Sequence, residues 1–80
     1  MASADWTEAN GTITRRFEFA NFVEAFAFVT QVALVAQRHD HHPDISISWN
    51  KVVVTTTSHD TGNSITDRDH RLADAIDRLL

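Results

Sequence analysis

The chain has 80 residues, a formal net charge of −4 and no cysteine. The lack of cysteine excludes a disulfide framework and a thiolate nucleophile. The acidic charge argues against binding nucleic acid through phosphate neutralisation. No apolar run approaches the roughly 18 residues of a membrane span, and residues 1–6 lack the basic and apolar regions of a signal peptide. We therefore expect one cytoplasmic domain over residues 1–80 that does not associate with membranes.

The first predicted elements are two strands joined at Asn10-Gly11, a pair typical of a type I′ turn with positive φ at both positions. A hairpin closed there pairs Glu8 with Ile13. The predicted strands lie near residues 6–9 and 12–19. The side chains expected on their buried face are Trp6, Ile13, Phe17 and Phe19.

A helix is predicted next, because Asn21 followed by Glu24 resembles a capping box. The apolar periodicity extends over about 16–18 residues. The stripe consists of Phe22, Ala25, Phe26, Val29, Val32, Ala33 and Ala36. Phe28 and Val35 lie off this stripe and indicate a second buried face. Pro43 prevents the helix from continuing and favours an extended conformation at His42.

A second hairpin follows, in which alternating apolar residues around Ile47 precede the β-branched run 52–57. A two-residue turn at Asn50-Lys51 pairs Trp49 with Val52. Extension of this register brings His42 opposite His59 and His41 opposite Asp60, so residues distant in sequence are expected to converge.

The last element is a helix beginning near Thr66, with Asp69 three residues later. Its apolar stripe consists of Leu72, Ala73, Ile76, Leu79 and Leu80. The order β-β-α-β-β-α predicts an α+β fold, a four-stranded antiparallel sheet with helices packed on one face.

Histidine is the compositional anomaly, since four of the five histidines lie between positions 39 and 59. Imidazoles beside carboxylates suit acid–base chemistry near neutral pH, including the removal of water. The nearby carboxylates are Asp40, Asp44 and Asp60. A polar turn without chemistry is the plainer interpretation of the double histidine. A metal site built from His39, His41, His42 and His59 has no usual zinc spacing, so no metal is expected.

Four segments together resemble the pterin-4a-carbinolamine dehydratases. They are His41-His42-Pro43-Asp44-Ile45, Trp49-Asn50-Lys51-Val52, Thr57-Ser58-His59-Asp60 and Thr66-Asp67-Arg68-Asp69. The resemblance implies an α+β fold and elimination of water from 4a-hydroxytetrahydropterin to give quinonoid dihydropterin. This reaction recycles the pterin cofactor of aromatic amino acid hydroxylases and implies no metal or organic cofactor.

The same resemblance implies catalytic roles for His41, His42 and His59. It also implies pterin contacts from Asp40, Pro43, Trp49, Asp60 and Asp69, and Asp69 is alternatively expected to orient an imidazole. Gln37 departs from the family, which commonly has glutamate there, and the loop 60–65 departs from the usual glycine-rich turn. The helix that usually precedes the Trp6 region has no counterpart here, which we expect to leave apolar surface uncovered.

A rival function belongs to another class, a non-catalytic module that stabilises the dimer of a partner protein, as some animal family members do. A third interpretation is a degenerate member without activity. The exposed sheet edges of so small a domain favour a homodimer or homotetramer. Which histidine is the acid and which is the base stays open at this point.

Overall fold

The computed structural model describes residues 4–59 and 62–80. Within them the elements follow the predicted order ββαββα. They are β1 (Thr7–Ala9), β2 (Thr12–Glu18), α1 (Phe22–Arg38), β3 (Asp44–Ser48), β4 (Lys51–Thr56) and α2 (Asp67–Asp77). In these described parts no helix is long and apolar enough to cross a membrane.

The four strands form one antiparallel sheet in the order β1-β2-β4-β3. One face of the central strands β2 and β4 is buried against both helices in a single apolar core. The strand residues of that core are Ile13, Phe17, Val52 and Val54. The predicted α+β class, with the helices on one face of the sheet, is confirmed.

The first hairpin has the predicted register, with Glu8 opposite Ile13. Its turn has φ of 53° at Asn10 and 79° at Gly11, the left-handed conformation that a type I′ turn needs. Trp6 is buried with the core, and its indole donates to the Asp77 carboxylate at 2.9 Å. This bond fixes the end of α2 to the start of the sheet.

The predicted apolar stripe of α1 was wrong in part. Asn21 caps the helix as expected, since its side chain accepts from the Glu24 N–H at 2.9 Å. The buried residues are Ala25, Phe28, Val32, Val35 and Ala36. Phe22 and Phe26, by contrast, are 48% and 53% exposed, and Ala33 is also exposed. The reason is Phe28, whose ring packs 4.7 Å from Phe17 and 5.0 Å from Phe19 and turns its own face of the helix to the sheet.

The predicted turn of the second hairpin was also wrong. The turn is Trp49-Asn50, and Ile47 lies opposite Val52. Asn50 is buried and binds Phe19 twice, since its side-chain NH2 donates to the Phe19 carbonyl and its backbone carbonyl accepts from the Phe19 N–H, each at 2.9 Å. These bonds hold the turn one residue earlier than the sequence pattern indicated. Extension of the true register no longer places His42 opposite His59, and Asp60 lies outside the described residues.

The helix α2 begins as predicted. Thr66 and Asp69 form a capping box, in which the Asp69 carboxylate accepts from the Thr66 N–H at 2.9 Å. The inner part of the predicted stripe is buried, namely Leu72, Ala73 and Ile76. Leu79 is partly buried against the core, whereas Leu80 is 64% exposed beyond the end of α2 at Asp77.

Candidate active site

His41 is held in place by the end of α1. Asp40 adopts a left-handed φ of 49° immediately after the helix. The Asp40 N–H donates to the Gln37 carbonyl at 3.2 Å, and the His41 N–H donates to the Ala36 carbonyl at 3.1 Å. This pair of bonds is a Schellman motif, usually built on glycine. The chain therefore turns sharply at Asp40, and the backbone of His41 is fixed before β3 begins.

The imidazole of His41 is anchored on Asp69. The Nε2 atom of His41 lies 2.6 Å from Oδ1 of Asp69, and both residues are buried. A carboxylate accepts hydrogen bonds, so Nε2 carries the proton and Nδ1 of the neutral ring has the free lone pair. Asp69 therefore selects the tautomer and orientation of His41.

The Asp69 carboxylate has no exposed surface and accepts from four groups. Besides His41, they are the Thr56 hydroxyl at 2.7 Å, the Ser58 hydroxyl at 2.8 Å and the Thr66 N–H at 2.9 Å. Burial alone would raise the pKa of Asp69. The hydrogen bonds, above all the one from His41, outweigh burial and lower the pKa of Asp69 from 3.8 to about 2. Asp69 is therefore a charged support at neutral pH, and its full burial favours the predicted role of orienting an imidazole over the predicted contact with a pterin.

His42 is exposed, and its side chain contacts the last turn of α1. Its Nε2 lies 3.0 Å from Oε1 of Gln37. An amide oxygen only accepts, so Nε2–H donates and Nδ1 is the free nitrogen of the neutral ring. Gln37 thus orients His42 by a hydrogen bond but supplies no charge.

His59 is exposed and follows β4. Its Nδ1 lies 2.8 Å from Oδ1 of Asn63. By the same reasoning Nδ1–H donates, and Nε2 is free in the neutral ring. Two backbone bonds close the surrounding loop, from the Ser58 N–H to the Ser64 carbonyl and from the Gly62 N–H to the His59 carbonyl.

The three histidines line one open pocket of about 290 Å³. The residues around it are Asp40, His41, His42, Thr57, His59 and Arg68. The histidines therefore converge, although the register from which convergence was predicted was wrong. Thr57 and Arg68 were missed by the sequence analysis. Thr57 lies two residues before His59, and Arg68 lies beside Asp69 in the first turn of α2. Proximity in sequence to a predicted site residue is therefore the signal that could have identified both.

The remaining predicted site residues do not all reach the pocket. Pro43 is half-buried directly after His42 but does not line the cavity. Trp49 is 65% exposed at the opposite end of β3. The rise of a strand separates Trp49 from Pro43 by on the order of 20 Å. Trp49 therefore lies outside the histidine pocket, and its contact with a pterin stays a prediction.

The arrangement offers acid–base chemistry on one surface. Each of the three imidazoles has one nitrogen bonded to a protein acceptor, and its second nitrogen has no hydrogen bond to any residue in the described ranges. Near neutral pH such rings accept or deliver protons. Over residues 4–59 and 62–80, no group of three or more His, Asp or Glu side chains lies close enough to hold a metal ion.

Comparison with known proteins identifies the family. The family model of pterin 4 alpha carbinolamine dehydratase matches residues 1–79. A protein of Rhodospirillum rubrum named "putative pterin-4-alpha-carbinolamine dehydratase" is 49% identical over 78 residues, which cover 95% of this chain and 80% of that protein. A protein of the same name from Prochlorococcus marinus is 48% identical over 75 residues, covering 94% of this chain and 78% of that protein.

Solved structures agree. The crystal structure of a transcriptional coactivator/pterin dehydratase from Brucella melitensis has a TM-score of 0.85 and 35% identity, with 94% of this chain and 81% of that chain covered. A pterin dehydratase-like protein described as a RuBisCO assembly factor in the alpha-carboxysome has a TM-score of 0.78 at 19% identity, covering 94% and 88% of the two chains, and shows the shared fold alone. This chain belongs to the pterin-4a-carbinolamine dehydratase family.

Proposed function

We propose that the protein is a hydro-lyase that removes water from 4a-hydroxytetrahydropterin and releases quinonoid dihydropterin. The observation that carries the proposal is the convergence of His41, His42 and His59 on one open pocket. Each ring is held through a single nitrogen, so each keeps a second nitrogen for proton transfer. Family membership supports the same substrate class.

The reaction needs two proton transfers at adjacent atoms of the pterin. A neutral imidazole removes the proton from N5, and the N5 electron pair forms the double bond to C4a. The C4a–O bond breaks as an imidazolium delivers a proton to the departing hydroxyl, which leaves as water. Arg68, at the edge of the pocket, supplies planar donors suited to the carbonyl and ring nitrogens of a pterin.

The decay of the 4a-hydroxytetrahydropterin absorbance tests this proposal when it is followed from pH 5 to 9. We expect the protein to accelerate the decay, with at least one ionisation of the rate between about pH 5 and 8, because histidine titrates there. A rate enhancement that is flat across this range would contradict histidine acid–base catalysis.

A non-catalytic binding module is the second candidate, and one observation favours it. Apolar side chains are exposed along α1, namely Phe22, Val23, Phe26 and Leu34. Exposed apolar patches of this kind mark protein interaction surfaces. A chain of the same fold is described as a RuBisCO assembly factor, so the fold supports binding of another protein.

Two sets of variants separate the candidates. Substitution of the pocket histidines abolishes dehydration if the protein is an enzyme and leaves association with another protein intact. If the protein is a binding module, substitution of the exposed α1 side chains abolishes association with another protein, and substitution of the histidines does not. We also propose that the chain forms a homodimer or homotetramer through the exposed apolar side chains of α1 and the exposed sheet edges. We further propose that it acts in the cytoplasm and needs no cofactor.

A further inference from the structure

The turn of the first hairpin lies against the loop that carries His59. A Cβ atom added at Gly11 would overlap the carbonyl oxygen of Asn63, and it would lie 3.2 Å from the Asn63 carbonyl carbon and 3.7 Å from the Ser64 Cα. The backbone of Gly11 therefore rests directly on the backbone of Asn63. Only a residue without a side chain permits this approach.

The same glycine is bound from its other side. The Thr57 hydroxyl donates to the Gly11 carbonyl at 2.7 Å. Thr57 precedes His59 by two residues and Asn63 follows it by four. The hairpin turn therefore contacts the chain on both sides of His59.

The contact reaches the imidazole through Asn63. Its backbone has φ of 59°, and its side-chain oxygen accepts from Nδ1 of His59 at 2.8 Å. The direction of that side chain depends on where the Asn63 backbone lies, and Gly11 packs directly against this backbone. Gly62 provides a contrast, because it also has a positive φ of 74° but nothing lies within 4 Å of an added Cβ.

We infer that Gly11 and Asn63 are positioning residues for His59, so that the Asn10-Gly11 turn and Asn63 together fix the tautomer of its ring. The sequence pattern assigns the turn only the role of closing a hairpin. In this inference the turn keeps the proton on Nδ1 and leaves Nε2 of His59 for the substrate. The expected effect on turnover rests on the proposed dehydratase activity, whereas the effect on the tautomer does not.

Nitrogen-15 chemical shifts of the His59 ring at pH 8.5, assigned by comparison with His59→Gln, test the inference directly. In the wild-type protein we expect the Nδ1–H tautomer. In Gly11→Ala the new methyl group displaces Asn63, and in Asn63→Gly the acceptor is removed while a positive φ remains easy. Both variants should lose the Nδ1–H signature, and dehydration should slow about 10- to 100-fold, as expected when a reacting group is displaced by about 1 Å.

The matched control is Gly62→Ala, the same substitution at another glycine with a positive φ. It strains a backbone with φ of 74°, but nothing lies within 4 Å of the added Cβ, so no atom is forced against Asn63. It should retain the His59 tautomer and the rate to within about threefold, since the contact of Gly11 with Asn63 is kept. Asn63→Asp, which keeps an acceptor oxygen, should restore the Nδ1–H signature that Asn63→Gly loses.

The outcomes are separable. Asn63→Gly is the cleaner variant if Gly11→Ala does not fold. Unchanged His59 shifts in folded Gly11→Ala or Asn63→Gly would overturn the inference. Changed shifts in a protein whose wild type does not accelerate dehydration would support the positioning role and contradict the proposed function instead.

Discussion

The Asp69 carboxylate lies 2.6 Å from Nε2 of His41, across 28 residues of sequence, and neither residue is exposed beyond 8%. Asp69 comes from the first turn of α2 and His41 from the segment after α1. The same carboxylate also closes the capping box of its own helix. One buried charge therefore joins both helix ends to the pocket and orients the imidazole that faces it.

Asp69→Asn is expected to destabilise the fold by about 3 kcal/mol at pH 7, because it removes a buried charged acceptor and leaves hydrogen-bond donors unpaired. The pKa of Asp69 is lowered to about 2 in the folded protein. A lowered pKa stabilises the folded state above pH 3.8, and this contribution disappears as the pH falls towards 2. The stability difference between wild type and variant should therefore narrow by about 1 kcal/mol between pH 7 and pH 3. Urea unfolding at both pH values measures this difference.

Asp67→Asn serves as the control for that experiment. Asp67 is exposed in the same first turn of α2, so its loss removes only an interaction with the helix dipole, worth about 0.3–1 kcal/mol. A wild-type advantage over Asp69→Asn that stays constant down to pH 3 would show that the carboxylate is not held in its charged form.

Thr56→Val is expected to destabilise the protein by about 1–2 kcal/mol. The shape of the side chain is kept, but the buried Asp69 carboxylate loses a donor at 2.7 Å. Thr55→Val is the matched control, since Thr55 bonds Thr14 in a half-buried pair away from Asp69. Chemical denaturation of the two variants should separate them, and equal unfolding midpoints would contradict the role assigned to the Thr56 hydroxyl.

Gln37→Glu places a carboxylate where an amide oxygen now lies 3.0 Å from Nε2 of His42. An adjacent carboxylate favours the imidazolium, so the ionisation in the pH–rate profile of dehydration should move to higher pH. Gln37→Met removes the acceptor without adding charge and should lower turnover with no such displacement. Coincident profiles for wild type and Gln37→Glu would mean that His42 does not titrate in the reaction.

Phe26→Lys is expected to reduce the oligomeric state without unfolding the chain. The ring is 53% exposed and packs 5.9 Å from Phe22, so it belongs to an uncovered apolar surface. Light scattering at micromolar concentration should give a dimer or tetramer for the wild type and a smaller species for the variant. A monomeric mass for the wild type would contradict the expected self-association.

Local signals in the sequence were sufficient for most of the fold. Asn10-Gly11, the Asn21 cap and the Thr66–Asp69 capping box each determine an element end through bonds within a few residues. The errors arose where a residue distant in sequence determines the position of a turn. Asn50 binds Phe19, a contact between residues 31 apart, and this bond moved the second turn.

The same distinction applies to the candidate site. The resemblance pointed to His41, His42 and His59, and the structure brings them to one pocket. Their partners were less predictable. The contact of Gly11 with Asn63 joins loops 52 residues apart, and no local pattern indicates it. The exposure of Phe26 was missed because helical periodicity does not distinguish two apolar faces of one helix.

The most direct test of the central claim is the rate of decay of 4a-hydroxytetrahydropterin with wild-type protein and with His42→Ala. His42 is exposed, so its substitution should leave the unfolding midpoint unchanged. We expect strong acceleration by the wild type and loss of most of it, about 10²-fold or more, in the folded variant. A well-folded wild type that does not accelerate the decay, or a variant as fast as the wild type, would contradict catalysis by His42.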